Sequence, residues 1–181
     1  MNFDDVQTFG AQTEIALDNA YEQAEQAVTD VPVADDEFAE IKDAYQEAKS
    51  GYGEAVRHAH EAAEVVRQDD FGENQEEVEE AVEHIMQSRD IAEDARNAAH
   101  RMVDKAYEHS KDVDRAEKLE DTGFPVKTPS DHVSQARNYV EDAGENYNEA
   151  ASTVEIGISD HTDIEYHSMF GLGGAPEGFD I

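Results

Sequence analysis

Between residues 38 and 66 the apolar side chains fall at Phe38, Ile41, Tyr45, Ala48, Tyr52, Ala55, Ala59, Ala62 and Val66, in alternating steps of three and four. That spacing keeps one stripe of a helix apolar, so it predicts a long helix over about 36–68 lying against another helix along a heptad seam. Three further stretches repeat the pattern. Val6, Gly10, Thr13, Leu17, Ala20, Ala24 and Ala27 predict a helix over about 3–28, which Pro32 ends because proline has no amide donor and disfavours helix before it. Val78, Ala81, Ile85, Ser88, Ala92, Ala95, Ala99, Met102, Ala106, His109, Val113 and Ala116 predict a third over about 75–120. Unbroken, it would be roughly 65–70 Å long, and the expected break is at His109-Ser110-Lys111-Asp112, where a polar residue sits on the seam. Val133, Ala136, Val140, Ala143, Tyr147, Ala150 and Val154 predict a fourth over about 129–153. Short connections between four such helices imply an all-α, antiparallel bundle.

The boundaries carry their own chemistry. Asn2 with Asp5, Asp35 or Asp36, and Asn74 with Glu77 suit helix starts, where exposed amides want an acceptor. Thr128-Pro129-Ser130-Asp131 is the strongest start, with a capping hydroxyl, proline at the first position and an acid at the third. Gly72 suits a left-handed C-cap after the second helix. Gly51 and Gly53 mark either a hinge or a close approach, although the unchanged heptad phase argues for a continuous helix.

After Thr153 the pattern changes. Val154, Ile156 and Ile158 alternate with Glu155 and Gly157, and Ile164-Glu165-Tyr166 alternates again, which predicts a short β-hairpin. The same residues also fit a fourth helix continuing to Ile158. The remaining residues are glycine-rich yet carry Met169, Phe170, Leu172, Phe179 and Ile181. With Ile164 and Tyr166 these are the expected partner-docking residues of a C-terminal hairpin or arm, 154–181, appended to a helical bundle, 1–153.

Charge sets the environment. Thirteen Lys+Arg stand against 45 Asp+Glu, a formal net charge of -32. In dilute buffer that charge opposes compaction, whereas at ~1 M salt the screening length shrinks to ~3 Å. Few lysines, abundant carboxylates and small alanines on the seams resemble the acidic proteins of salt-loving archaea and their viruses. The absence of a basic cluster argues against direct nucleic-acid binding. An acidic mimic of nucleic acid and a cellular coiled-coil binding module are the competing expectations. There is no cysteine, hence no disulfide or thiolate site. The first residues read as no signal peptide and no stretch is apolar enough to span a membrane, so a cytoplasmic or virion location is expected.

Catalytic and metal signatures are not apparent. None of the eight histidines follows a glutamate by three residues, as a carboxylate di-iron bundle requires. The pairs Glu80–His84, His60–Glu64 and His100–Asp104 lie four apart on helices, a spacing that an acidic helix produces by chance. The expectation is therefore no catalytic residue, no cofactor and no specific metal, with loose K⁺, Na⁺ or Mg²⁺ at clusters such as Asp69, Asp70 and Glu73. His109 reads as a polar interruption of its seam, and the seam tyrosines as core.

In layout, the helices together with the tail over 154–181 resemble the helical adaptor proteins that join head to tail in tailed viruses. That resemblance is architectural and transfers no functional residue. It implies a non-enzymatic, ring-forming, oligomeric virion component, docked on other structural proteins through its terminal arm.

Overall fold

The computed structural model describes residues 4–29, 35–68, 71–111 and 128–162. They form four helices: α1 (Asp4–Thr29), α2 (Asp35–Val66), α3 (Gln75–Ser110) and α4 (Pro129–His161). The partner-docking residues Ile164, Tyr166, Met169, Phe170, Leu172, Phe179 and Ile181 lie outside the described residues, as do Asn2, Pro32, Asp69, Asp70 and the 112–120 end of the expected third helix.

Cross-helix partners give the directions. Arg101 and Lys105 on α3 reach Glu47 and Glu40 on α2, so sequence number rises on one as it falls on the other. Arg137 on α4 faces Asp104 on α3, and Arg89 faces Glu155, again in opposite order. Arg67 meets Asp4, and Lys49 meets Glu14 and Asp18, while His132 meets Gln23. All four neighbouring pairs are antiparallel, an up-down-up-down bundle. The closest pairings are α2 with α3 and α1 with α4, and the two hairpin-like pairs stack on each other.

The seam residues form the core. Ile41, Tyr52, Val66, Ile85, Met102, Val133, Val140 and Tyr147 are buried, while Phe38, Tyr45 and Val78 pack half-buried at its margin. More than half of the buried apolar side chains are alanines. Small residues bury little area each but let helix backbones come close, so contact is gained through proximity. Gly51 shows how close: a Cβ there would lie 2.8 Å from Ala95 Cβ on α3. At Gly53 nothing lies within 4 Å of such an atom. α2 runs unbroken through both, so Gly51 is a point of close approach in a continuous helix.

Thr128 caps α4 as its sequence predicts. Its hydroxyl accepts from the Asp131 amide at 3.2 Å and its amide donates to Asp131 Oδ2 at 2.9 Å, with Pro129 in the first turn. Asn74 caps α3, accepting from the Glu76 amide at 3.1 Å and donating to Glu77 Oε1 at 2.9 Å. Gly72 has φ +93°, but it lies six residues past the end of α2 and so is no C-cap. It lets the α2–α3 loop pass under the end of α4, where a Cβ would strike the His161 carbonyl, and Phe71 beside it packs edge-on against the His161 ring.

The expected hairpin is corrected in its first strand. Residues 154–158 continue α4, which runs to His161, and there is no strand among the described residues. The alternation fits a half-buried strand only if Glu155 faces solvent, and it does not. In the helix Val154, Glu155 and Ile158 are all buried, and Ile156 is the one turned outward, 45% exposed. The helical domain therefore continues past 153.

Candidate metal centre and polar interior

Two buried polar contacts tie α4 into the bundle. Ser88 on α3 donates to the Ala55 carbonyl on α2 at 2.6 Å and shares a 2.8 Å hydrogen bond with the Tyr147 hydroxyl on α4. One seam serine thus links three helices. Tyr52 packs beside Tyr147 with ring centroids 5.8 Å apart. Burial pushes both phenols up to about 12, because a buried phenolate loses its hydration. About two helical turns along α4, the fully buried Glu155 carboxylate receives a two-pronged contact from Arg89, Nε at 2.8 Å and Nη2 at 2.9 Å. Arg89 Nη1 reaches Asn148 Oδ1 at 2.9 Å. This planar fork is the geometry in which arginine holds a carboxylate most firmly. These contacts set register, since sliding any helix would leave a buried polar group without its partner.

On the α1–α2 face, Asp18 accepts from Tyr45 Oη at 2.6 Å and Lys49 Nζ at 2.8 Å, and Lys49 also reaches Glu14 at 2.9 Å. Partial burial pushes Asp18 upward, but the hydrogen bonds from Lys49 and Tyr45 outweigh it and hold the carboxyl below its usual range. The two carboxylates raise the Lys49 ammonium. His100 is depressed, first by burial and then by the neighbouring Arg96.

On the α2–α3 face, His58, Glu61 and His84 converge. His58 Nδ1 lies 3.2 Å from His84 Nδ1 and 3.3 Å from Glu61 Oε2, and His84 Nδ1 lies 3.5 Å from the same oxygen. His58 is mostly covered, with 12% of its side chain accessible, against 26% for His84 and 37% for Glu61. The local reason is helical spacing: positions 58 and 61, three apart, share the face of α2 that the antiparallel pairing sets opposite His84. Arg57 holds the other Glu61 oxygen at 2.6 Å, turning Oε2 towards the imidazoles, and its Nη2 lies 3.1 Å from His58 Nε2. Glu80 Oε1 stands 3.9 Å from His84 Nε2. Among the described residues this is the one group of three His, Cys, Asp or Glu side chains whose donor atoms gather closely enough to hold a metal ion.

The three histidine–acid pairs spaced four apart on their helices differ from one another. Glu80 and His84 do neighbour each other, beside the three-residue cluster. Glu64 is engaged by Arg67 at 2.8 Å, and Asp104 faces Arg137. His109 is half-buried next to buried Ser110, whose hydroxyl donates to the Tyr107 carbonyl at 3.1 Å. The cluster itself was missed because its two closest histidines belong to different helices. The local clue was His58 three residues before Glu61.

No helix among the described residues is long and apolar enough to cross a membrane. No protein-family model matches the chain, and comparison with curated proteins and with solved structures finds no match either.

Proposed function

We propose that the protein is a non-enzymatic structural and assembly subunit that works in high salt. One observation carries the reading: basic side chains are used to join helices, while the large acidic excess is left on the surface. Lys49, Arg67, Arg89, Arg101, Lys105 and Arg137 each reach a carboxylate on another helix. The net charge of -32 then repels itself across an alanine-rich core, and dense screening by salt relieves that repulsion. Association of subunits would add burial that such a core lacks. The exposed Met86 on α3, flanked by half-buried Val78 and Val82, and the exposed Ile15 and Ile156 are apolar surface suited to it. In its specific form the proposal is an oligomeric virion component, such as a head-to-tail adaptor, that docks through its C-terminal arm.

The test is the mass of the protein in multimolar KCl by light scattering after size exclusion, for the full chain and for a chain ending at residue 162. That truncation leaves α4 whole. A discrete oligomer that the truncation abolishes supports the proposal. A monomer in both would overturn it in favour of a binding module or an acidic nucleic-acid mimic. Helicity by circular dichroism should also rise from dilute buffer to multimolar KCl.

A further inference from the structure

We propose that His58 and Glu61 of α2 and His84 of α3 form a binding site for a divalent transition-metal ion that clamps the two helices together. Zinc-like ions hold imidazole nitrogen at ~2.0–2.1 Å and carboxylate oxygen at ~2.0–2.2 Å. In a tetrahedron, neighbouring donors are then about 1.63 times that length apart, roughly 3.3–3.5 Å. The three observed separations are 3.2, 3.3 and 3.5 Å. The donor triangle already has the size of one face of a tetrahedral site, with its fourth position left for water or a further ligand.

The cluster's own hydrogen bonding points the same way. The Arg57 guanidinium can only donate, so its 3.1 Å approach to His58 Nε2 places the ring proton of a neutral His58 on Nδ1. That one proton faces two acceptors, His84 Nδ1 and Glu61 Oε2, and can be aligned well with only one of them. A dication at the centre would engage all three donor atoms once His58 Nδ1 has given up that proton. Binding requires His58 to move its proton to Nε2 and Arg57 to swing off the ring. Arg57 is half exposed and already has Glu61 at 2.6 Å and Glu54 at 3.7 Å to accept it. Glu80 Oε1 lies 3.9 Å from His84 Nε2, a short side-chain rotation away from accepting the N–H of a ligating imidazole. Two imidazoles and one carboxylate select Zn²⁺, Co²⁺, Ni²⁺ or Cu²⁺ over K⁺ and Mg²⁺, which prefer oxygen alone. The site stands independently of the assembly role.

The test uses the full chain, freed of metal by chelator and kept in multimolar KCl. Zn²⁺ binding is followed by titration calorimetry, and Co²⁺ by the visible absorption of a four-coordinate ion. One Zn²⁺ per chain should bind, raise the melting temperature, and persist against excess Mg²⁺. His84→Ala should lower affinity more than ~100-fold, beyond the 10–100-fold typical of losing an outer partner, with Glu61→Gln lowering it at least tenfold. His132→Ala, whose imidazole pairs with Gln23 instead, should bind as the parent does. Should His84→Ala unfold, the near-isosteric Glu61→Gln and the Co²⁺ spectrum of the parent decide the matter. Zn²⁺ binding no tighter than Mg²⁺ overturns the proposal. So does unchanged Zn²⁺ affinity in Glu61→Gln and His84→Ala, which would assign the ion to surface carboxylates.

Discussion

Replacing Arg89 with methionine tests whether the buried ion pair fastens the end of α4. The substitution keeps an unbranched, helix-compatible side chain and removes both contacts to Glu155 and the one to Asn148. Glu155 is fully buried, so its carboxylate would lose its charge partner without gaining water. Breaking a buried pair from one side typically costs ~3–5 kcal/mol. Arg89 itself is 22% accessible and the pair is partly screened, which argues for the lower end, about 3 kcal/mol. For a chain of this size each kcal/mol moves the melting temperature by roughly 2–4 °C, so a fall of about 6–12 °C is expected. Thermal melting by circular dichroism in multimolar KCl measures it. The double variant Arg89→Met/Glu155→Leu should recover most of the loss, because an apolar pair of similar volume needs no charge compensation. A loss below ~1 kcal/mol in Arg89→Met would refute the reasoning, and so would a double variant no more stable than the single one.

The two glycines of α2 should respond with opposite sign. Gly53→Ala meets open space and should stabilise by up to ~1 kcal/mol, whereas Gly51→Ala drives a methyl to 2.8 Å from Ala95 and should lower the melting temperature through an overpacking cost of ~1–3 kcal/mol. Stability should fall at alkaline pH: a phenol raised from 10.0 to about 12 in the folded state stabilises fully below pH 10 and loses that contribution as pH rises through 12. Tyr52 and Tyr147 would each forfeit up to about 3 kcal/mol, and Tyr147→Phe should remove its own share in a denaturation series over that range. Thr128→Ala removes a cap that satisfies the first turn of α4 and should cost about 1 kcal/mol in chemical denaturation.

The helices were legible in the sequence because heptad spacing is local: each seam needs only its own residues to show which stripe faces inward, and Thr128, Pro129 and Asp131 mark a start through atoms three residues apart. The same locality explains where reading failed. Glu155 looks like the polar half of a strand because no lysine or arginine lies near it in sequence; its partner, Arg89, is brought 2.8 Å away only when α3 and α4 pack. His58 and His84 likewise lie 26 positions apart, and their ring nitrogens meet only through the antiparallel register of α2 on α3. Which glycine touches a neighbour is also invisible along the chain, since Gly51 and Gly53 differ solely in the face they present. Sequence alone determined the period of the four helices among the described residues and the acidic excess, because those follow from each residue's own character. Tertiary structure decided which polar side chains are interior and which of them converge, because burial and convergence belong to pairs of helices.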